Sequence, residues 1–135
     1  MRIMRTILLF MWVLITNLTY GQTAEEYYNI ANNKSDSKDY QGAIENYTKA
    51  IELNPNYSIA YVNRGDSKIK IQDYKGAIAD FSKAIELNPK NSDAYYNRGV
   101  SNSKLNQKES ACLDWIKARE LGLEVAYKNI KKYCN

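Results

Sequence analysis

SIAYVNRGDSKIKIQDYKGAIADFSKAIELNP, residues 58–89, is the unit from which the rest of the chain can be read. Displaced by 34 residues, the sequence matches itself on both sides of this stretch. Tyr61-x-Asn63-Arg64-Gly65 returns as Tyr95-x-Asn97-Arg98-Gly99, and Asp39-Tyr40-x-Gly42-Ala43-Ile44 anticipates Asp73-Tyr74-x-Gly76-Ala77-Ile78. Residues 83–89, KAIELNP, copy residues 49–55 letter for letter. A fixed period of this length marks a repeat architecture.

The repeated positions have a physical logic. Small residues recur once in the first half of the unit (Ala31, Gly65, Gly99) and twice in the second (Ala43, Ala77, Ala111; Ala50, Ala84, Ala118). At a fixed helical phase they let two backbones approach closely. Large rings one turn away fill the remaining space: Tyr27, Tyr61, Tyr95, then Tyr47, Phe81, Trp115. Each unit is therefore expected to be a pair of antiparallel helices, stopped by Asn-Pro because the residue before proline avoids helical angles.

This pattern resembles the tetratricopeptide repeat (TPR) family. The family's aromatic, small, small, aromatic, small, proline series falls on Tyr61, Gly65, Ala77, Phe81, Ala84 and Pro89. The first unit carries it on Tyr27, Ala31, Ala43, Tyr47, Ala50 and Pro55, and the third lacks only the proline, having Leu121-Gly122 instead. The resemblance implies an all-α, right-handed α-solenoid of three helix-turn-helix units, at about residues 24–57, 58–91 and 92–122. A capping helix at about 124–134 would cover the last unit, as repeat arrays need. Val125, Tyr127, Ile130 and Tyr133 would supply its apolar side.

Composition narrows the function. The 135 residues, 44% hydrophobic, suffice for one small domain. The formal charge of +4 includes Arg2 and Arg5, without which 17 basic residues face 15 acidic ones. So even a balance does not suggest nucleic acid. There is no His, which removes the commonest general base and metal ligand. No Gly-rich phosphate loop is present, and Asp36, Asp39, Asp66, Asp73, Asp80 and Asp114 fall on expected helix surfaces or caps without forming a catalytic set. The reading is a non-enzyme, with no cofactor, metal or small-molecule substrate.

Arg2 and Arg5 precede the apolar run Ile7 to Ile15, and Thr19 and Gly21 offer the small residues of a cleavage site. This is the pattern of a secretory signal peptide over residues 1–21, leaving 22–135 as the mature domain. The apolar run is about half the ~20 residues of a spanning helix. An uncleaved leader would be the one attachment to a membrane. The expectation is export, to the periplasm or beyond.

Within the array, helices are expected at about 39–53, 57–71, 73–87, 92–105 and 107–121. The opening helix is expected to fray towards Ser37, because residues 32–37 (NNKSDS) are residues of caps and turns. Cys112 and Cys134 lie at comparable distances from the turn at Leu121-Gly122, on antiparallel helices that would bring them side by side. The alternative is two buried or free thiols, but with the oxidising compartment that the leader implies the expectation is a disulfide between them.

In the family, the first helices of successive units line a concave groove that takes an extended peptide or a partner helix. The resemblance assigns Tyr28, Asn29, Asn32, Val62, Asn63, Asp66, Tyr96, Asn97 and Val100 to that groove. The periodic Asn29, Asn63 and Asn97 would either bond a peptide backbone or pack beside the next unit. A TPR subclass clamps chaperone C-terminal carboxylates with two Asn, two Lys and one Arg. Here Asn32 and Asn63 match, but the basic positions hold Tyr28, Asp93 and Asn97, so that role is not expected.

Overall fold

The computed structural model describes residues 21–134, and the expected signal peptide lies almost wholly outside them. Among the described residues the helices are α1 (Ala24–Asp36), α2 (Tyr40–Leu53), α3 (Ser58–Lys70), α4 (Tyr74–Leu87), α5 (Ser92–Lys104), α6 (Lys108–Glu120) and α7 (Ala126–Tyr133). Each packs on its sequence neighbours, and α1, α3 and α5 also touch in series. The chain is an all-α solenoid of three helix pairs closed by a terminal helix.

The local reasons repeat with the sequence. Asp39 and Asp73 cap α2 and α4, each accepting the N–H of Gly42 or Gly76 at 3.0 Å. A Cβ on either glycine would lie 2.2 Å from the capping carboxylate, which is why Asp-Tyr-x-Gly recurs as a block. The Gly42 N–H and the Lys34 ammonium hold the Asp39 carboxyl below its ordinary pKa. Within each unit the turn passes through a left-handed residue, Lys38, Gln72 or Asn106, at φ 64°, 64° and 59°. Asn54 and Asn88 leave the helical region ahead of Pro55 and Pro89, while Gly122 takes φ 98° at the end of α6.

Two of the repeated small residues admit an aromatic ring. A Cβ on Gly65 would lie 2.9 Å from the Phe81 ring, and one on Gly99 would lie 2.7 Å from Trp115 Nε1. Phe81 and Trp115 are essentially fully buried there, as is Tyr47 beside Ala31. Trp115 Nε1 has no hydrogen-bond partner.

The first helix, expected to fray towards Ser37, runs to Asp36 with Ser37 as its C-cap and is as long as α3 and α5. Side chains take the place of apolar packing at its end, with Ser37 Oγ donating to the Asn33 and Lys34 carbonyls and Lys34 Nζ pairing with Asp39 at 3.1 Å. One expectation is corrected here: Asp80 and Asp114, expected on helix surfaces or caps, are buried. Arg64 grips Asp80 through Nε at 2.9 Å and an NH2 group at 2.7 Å, and its other nitrogen reaches Thr48 of the preceding unit at 3.0 Å. Arg98 repeats this on Asp114 and Ser82. Lys68 and Asn102 add a further contact to each carboxylate. Burying carboxylates requires such pairing.

The terminal helix also differs from expectation. Val125, Tyr127 and Tyr133 stay substantially exposed, although the Tyr133 ring lies 5.6 Å from that of Trp115 and Arg119 covers Tyr127 at 4.6 Å; the buried part of the contact is made by Ala126, Ile130 and Cys134. Its register explains this. Ala126-Tyr127-x-Asn129 continues Ala60-Tyr61-x-Asn63 and Ala94-Tyr95-x-Asn97 after a turn two residues shorter. All three alanines are fully buried. So α7 is the first helix of a fourth unit. Lys131 stands where Gly65 and Gly99 admit an aromatic ring, so no second helix could pack on it as α4 and α6 pack on α3 and α5.

Candidate functional site: the inner face

The inner face is built by α1, α3, α5 and α7, and its polar residues form a ladder from helix to helix. Asn63 Nδ2 donates to the Tyr28 hydroxyl at 3.0 Å and to Asn32 Oδ1 at 3.2 Å. Asn97 Nδ2 donates to Asp66 Oδ1 at 2.9 Å, and Asn129 Nδ2 to the Tyr96 hydroxyl at 3.3 Å. The periodic amides therefore bind consecutive units together. Asn29, in the same register on α1, is exposed.

Of the expected groove residues, Val62 is not on the surface. It is 5% exposed and belongs to the core, because at this position its short side chain ends where the rings of Tyr28 and Tyr96 continue outward. Tyr28 is half-buried against Tyr47 and Tyr57, with ring centroids 5.8 and 5.0 Å apart. Tyr96, Asn97 and Val100 are also part-buried.

Between the first two units lies a hollow of about 400 Å³, lined by Asn32, Ser35, Asp36, Tyr47, Asn63 and Asp66. The Tyr47 hydroxyl donates to Asn32 Oδ1 at 2.6 Å, and burial pushes its pKa up to about 12. Asp66 is raised to about 6, first by burial and then by the Asp93 carboxylate, against the pull of Lys70 and the Asn97 amide. Expectation had omitted Ser35 and Tyr47, since Tyr47 arrives from a second helix. A second hollow of about 400 Å³ lies at the last junction, lined by Ser103, Asn106, Lys108, Ala111, Trp115, Lys132 and Tyr133. A third, of about 350 Å³, opens between α4, α5 and α6 beside Leu113 and the Arg98–Asp114 pair.

Cys112 and Cys134 form a disulfide with Cα atoms 5.7 Å apart, fastening α7 to α6. Among the described residues no group of His, Cys, Asp and Glu could hold a metal ion, and no helix is long and apolar enough to cross a membrane.

The chain is similar to solved TPR domains. The first TPR of Spaghetti (RPAP3), bound to the HSP90 peptide SRMEEVD, shares 25% identity at a TM-score of 0.81, over 84% of this chain and 91% of that one. The second TPR domain of human RPAP3, in complex with the HSP70 peptide SGPTIEEVD, shares 27% at 0.79, over 83% and 95%. The Arabidopsis OM64 TPR domain shares 28% at 0.77, over 82% and 95%. No curated protein matches the chain by sequence. Family models described as tetratricopeptide repeat match residues 24–57 and 46–79, and one described as TPR repeat matches 65–106. Together these matches run from residue 24 to residue 106, more than half of the chain, and the chain belongs to the tetratricopeptide repeat family.

Proposed function

We propose that this chain is a non-catalytic protein–protein interaction module of the cell envelope, which holds an extended peptide or partner helix against its inner face. The observation that carries this reading is the inner face itself, a continuous surface of tyrosines, amides and two hollows across three units. Its fold is shared with domains that hold peptides. Export rests on the charged and apolar leader, and the Cys112–Cys134 disulfide suits an oxidising compartment.

Panning a random twelve-residue peptide library against the oxidised protein tests binding. Enriched peptides should lose affinity for Asn29→Arg, in which an exposed groove position is blocked while the melting temperature is kept. An unenriched library refutes the reading. Mass spectrometry of the exported protein should show a chain beginning near Gln22, and an intact Met1 in the membrane fraction would refute cleavage.

A second reading, a scaffold subunit that packs through its outer faces, is favoured by Leu113, 69% exposed, and Ile116, 42% exposed, on α6. Sedimentation over a range of concentrations separates the two, since a stable monomer excludes self-association.

A further inference from the structure

The hollows at the two ends of the inner face are the same place in the repeat with opposite charge. Ser35 and Ser103 correspond across two periods, as do Tyr47 and Trp115. With the two-residue shortening before α7, Asp66 corresponds to Lys132. The first hollow is lined by Asp36 and Asp66 and by no Lys or Arg. The last is lined by Lys108 and Lys132 and by no Asp or Glu. Among the described residues none of these four charges takes part in an ion pair.

Hydrogen bonding points the same way. In the first hollow the Tyr47 hydroxyl and both amide hydrogens of Asn63 are committed to protein acceptors. The Asp36 carboxylate and the second oxygen of Asp66 accept no protein hydrogen bond. Asn32 and Ser35 keep donors of their own, but the charge at this end is wholly acidic, so the occupant is best served by bringing positive charge. In the last hollow the lysine ammoniums are donors only, so the occupant must bring an acceptor with negative charge. Lys132 is held at the rim by the Tyr133 ring, 4.8 Å from its centroid.

Resting on the groove reading above, we infer that the inner face is charge-polarised and selects a partner segment with a Lys or Arg at one end and an Asp or Glu at the other. The spacing follows from the helices. Successive first helices are in contact, so two steps of about 8–10 Å each separate the hollows by roughly 16–20 Å. An extended chain covers that in about five or six residues. The same polarity disfavours a segment acidic throughout, which would meet Asp36 and Asp66.

The library experiment decides this. The enriched sequences should share a basic and an acidic residue about five or six positions apart. In fluorescence anisotropy with one synthetic consensus peptide, replacing its basic residue by Gln should weaken binding about tenfold to the wild type, but less than twofold to Asp66→Asn. Replacing its acidic residue by Gln should show the same pattern against Lys132→Gln. Near-ultraviolet circular dichroism confirms that both variants keep the native fold. Enriched peptides without the charge pair, or penalties equal in wild type and variants, overturn the polarity while leaving the groove intact. No enriched peptide at all overturns both.

Discussion

Asp66→Asn is expected to make the protein more stable at neutral pH, by an amount that disappears in acid. In the folded chain the Asp66 carboxyl is raised from 3.8 to about 6, by burial first and then by Asp93, with Lys70 and the Asn97 amide opposing. The folded state therefore binds a proton more readily than the unfolded state. Well below pH 3.8 both states are protonated and the residue costs nothing. As pH rises from 4 to 6 the unfolded chain ionises first, so stability falls through that window and stays lower above it. A rise of about two pH units corresponds to roughly 3 kcal/mol. Because the carboxylate opens onto a hollow that admits water, we discount this to about 1–2 kcal/mol. Asparagine keeps the acceptor for Asn97 Nδ2, now at 2.9 Å, and removes only the charge.

The assay is urea unfolding of oxidised wild type and variant, followed by circular dichroism at intervals from pH 4 to pH 8. Other titrations cancel in the difference between the two proteins. That difference should be small at pH 4 and grow to about 1–2 kcal/mol by pH 7. A variant less stable than wild type at pH 7, or a gap independent of pH, would show that Asp66 is not held against its charge. The expected gain in stability comes with the expected loss of affinity for a basic segment.

Three further perturbations test the frame that holds the face. Asp80→Ala leaves Arg64 and Lys68 without their buried partner and should cost about 3 kcal/mol in urea unfolding, whereas Arg64→Met with Asp80→Leu should recover most of it. Cys134→Ser opens a bond between residues 22 apart in sequence; it should lower stability by roughly 3 kcal/mol and expose α7 to limited proteolysis while α1 to α4 stay protected. Gln72→Gly relieves a left-handed φ of 64° and should stabilise by about 0.5–1 kcal/mol, whereas Glu45→Gly, at an exposed position inside α2, should destabilise by about 1 kcal/mol.

The helix boundaries were legible in the sequence to within a residue or two from α2 to α6, because their signals are local. Asp39 and Asp73 cap, Asn54 and Asn88 stop, and Gly122 turns, each by chemistry confined to a few neighbours. What misled were features that depend on a third helix. Val62 was placed on the groove by its face of α3, but burial there depends on side-chain length, and valine is shorter than the tyrosines in register. Asp80 and Asp114 looked like surface charges when taken singly. Arg64 with Asp80 and Arg98 with Asp114, 16 residues apart in both units, was the available sign of a buried pair. On α7 the apolar residues Val125 and Tyr127 drew attention, although the small Ala126 marks the contact.

One register position shows how the array distinguishes its interior from its ends. Arg64 and Arg98 each join three helices, the second helix of their own unit and that of the unit before. An arginine is useful there only if both partners exist. In α1 no preceding unit is packed among the described residues, and the position holds Ile30; on α7 no second helix is packed among the described residues, and the position holds Ile130. The carboxylate changes with the arginine, since Asn46 replaces Asp80 in the first unit and bonds its own helix at the Gly42 carbonyl. At the last junction Cys134 takes the register of Lys68 and Asn102; those two reach the carboxylate on the second helix of their own unit, whereas Cys134 is joined back to Cys112 of the unit before. In a solenoid each junction contributes nearly independently to stability. The arginine–carboxylate pairs close the second and third units, and the same arginines cross the two internal junctions to Thr48 and Ser82, whereas α7 is fastened to the unit before it by a disulfide. Because Lys132 and Tyr133 belong to α7, the basic hollow exists in full only while that bond is made.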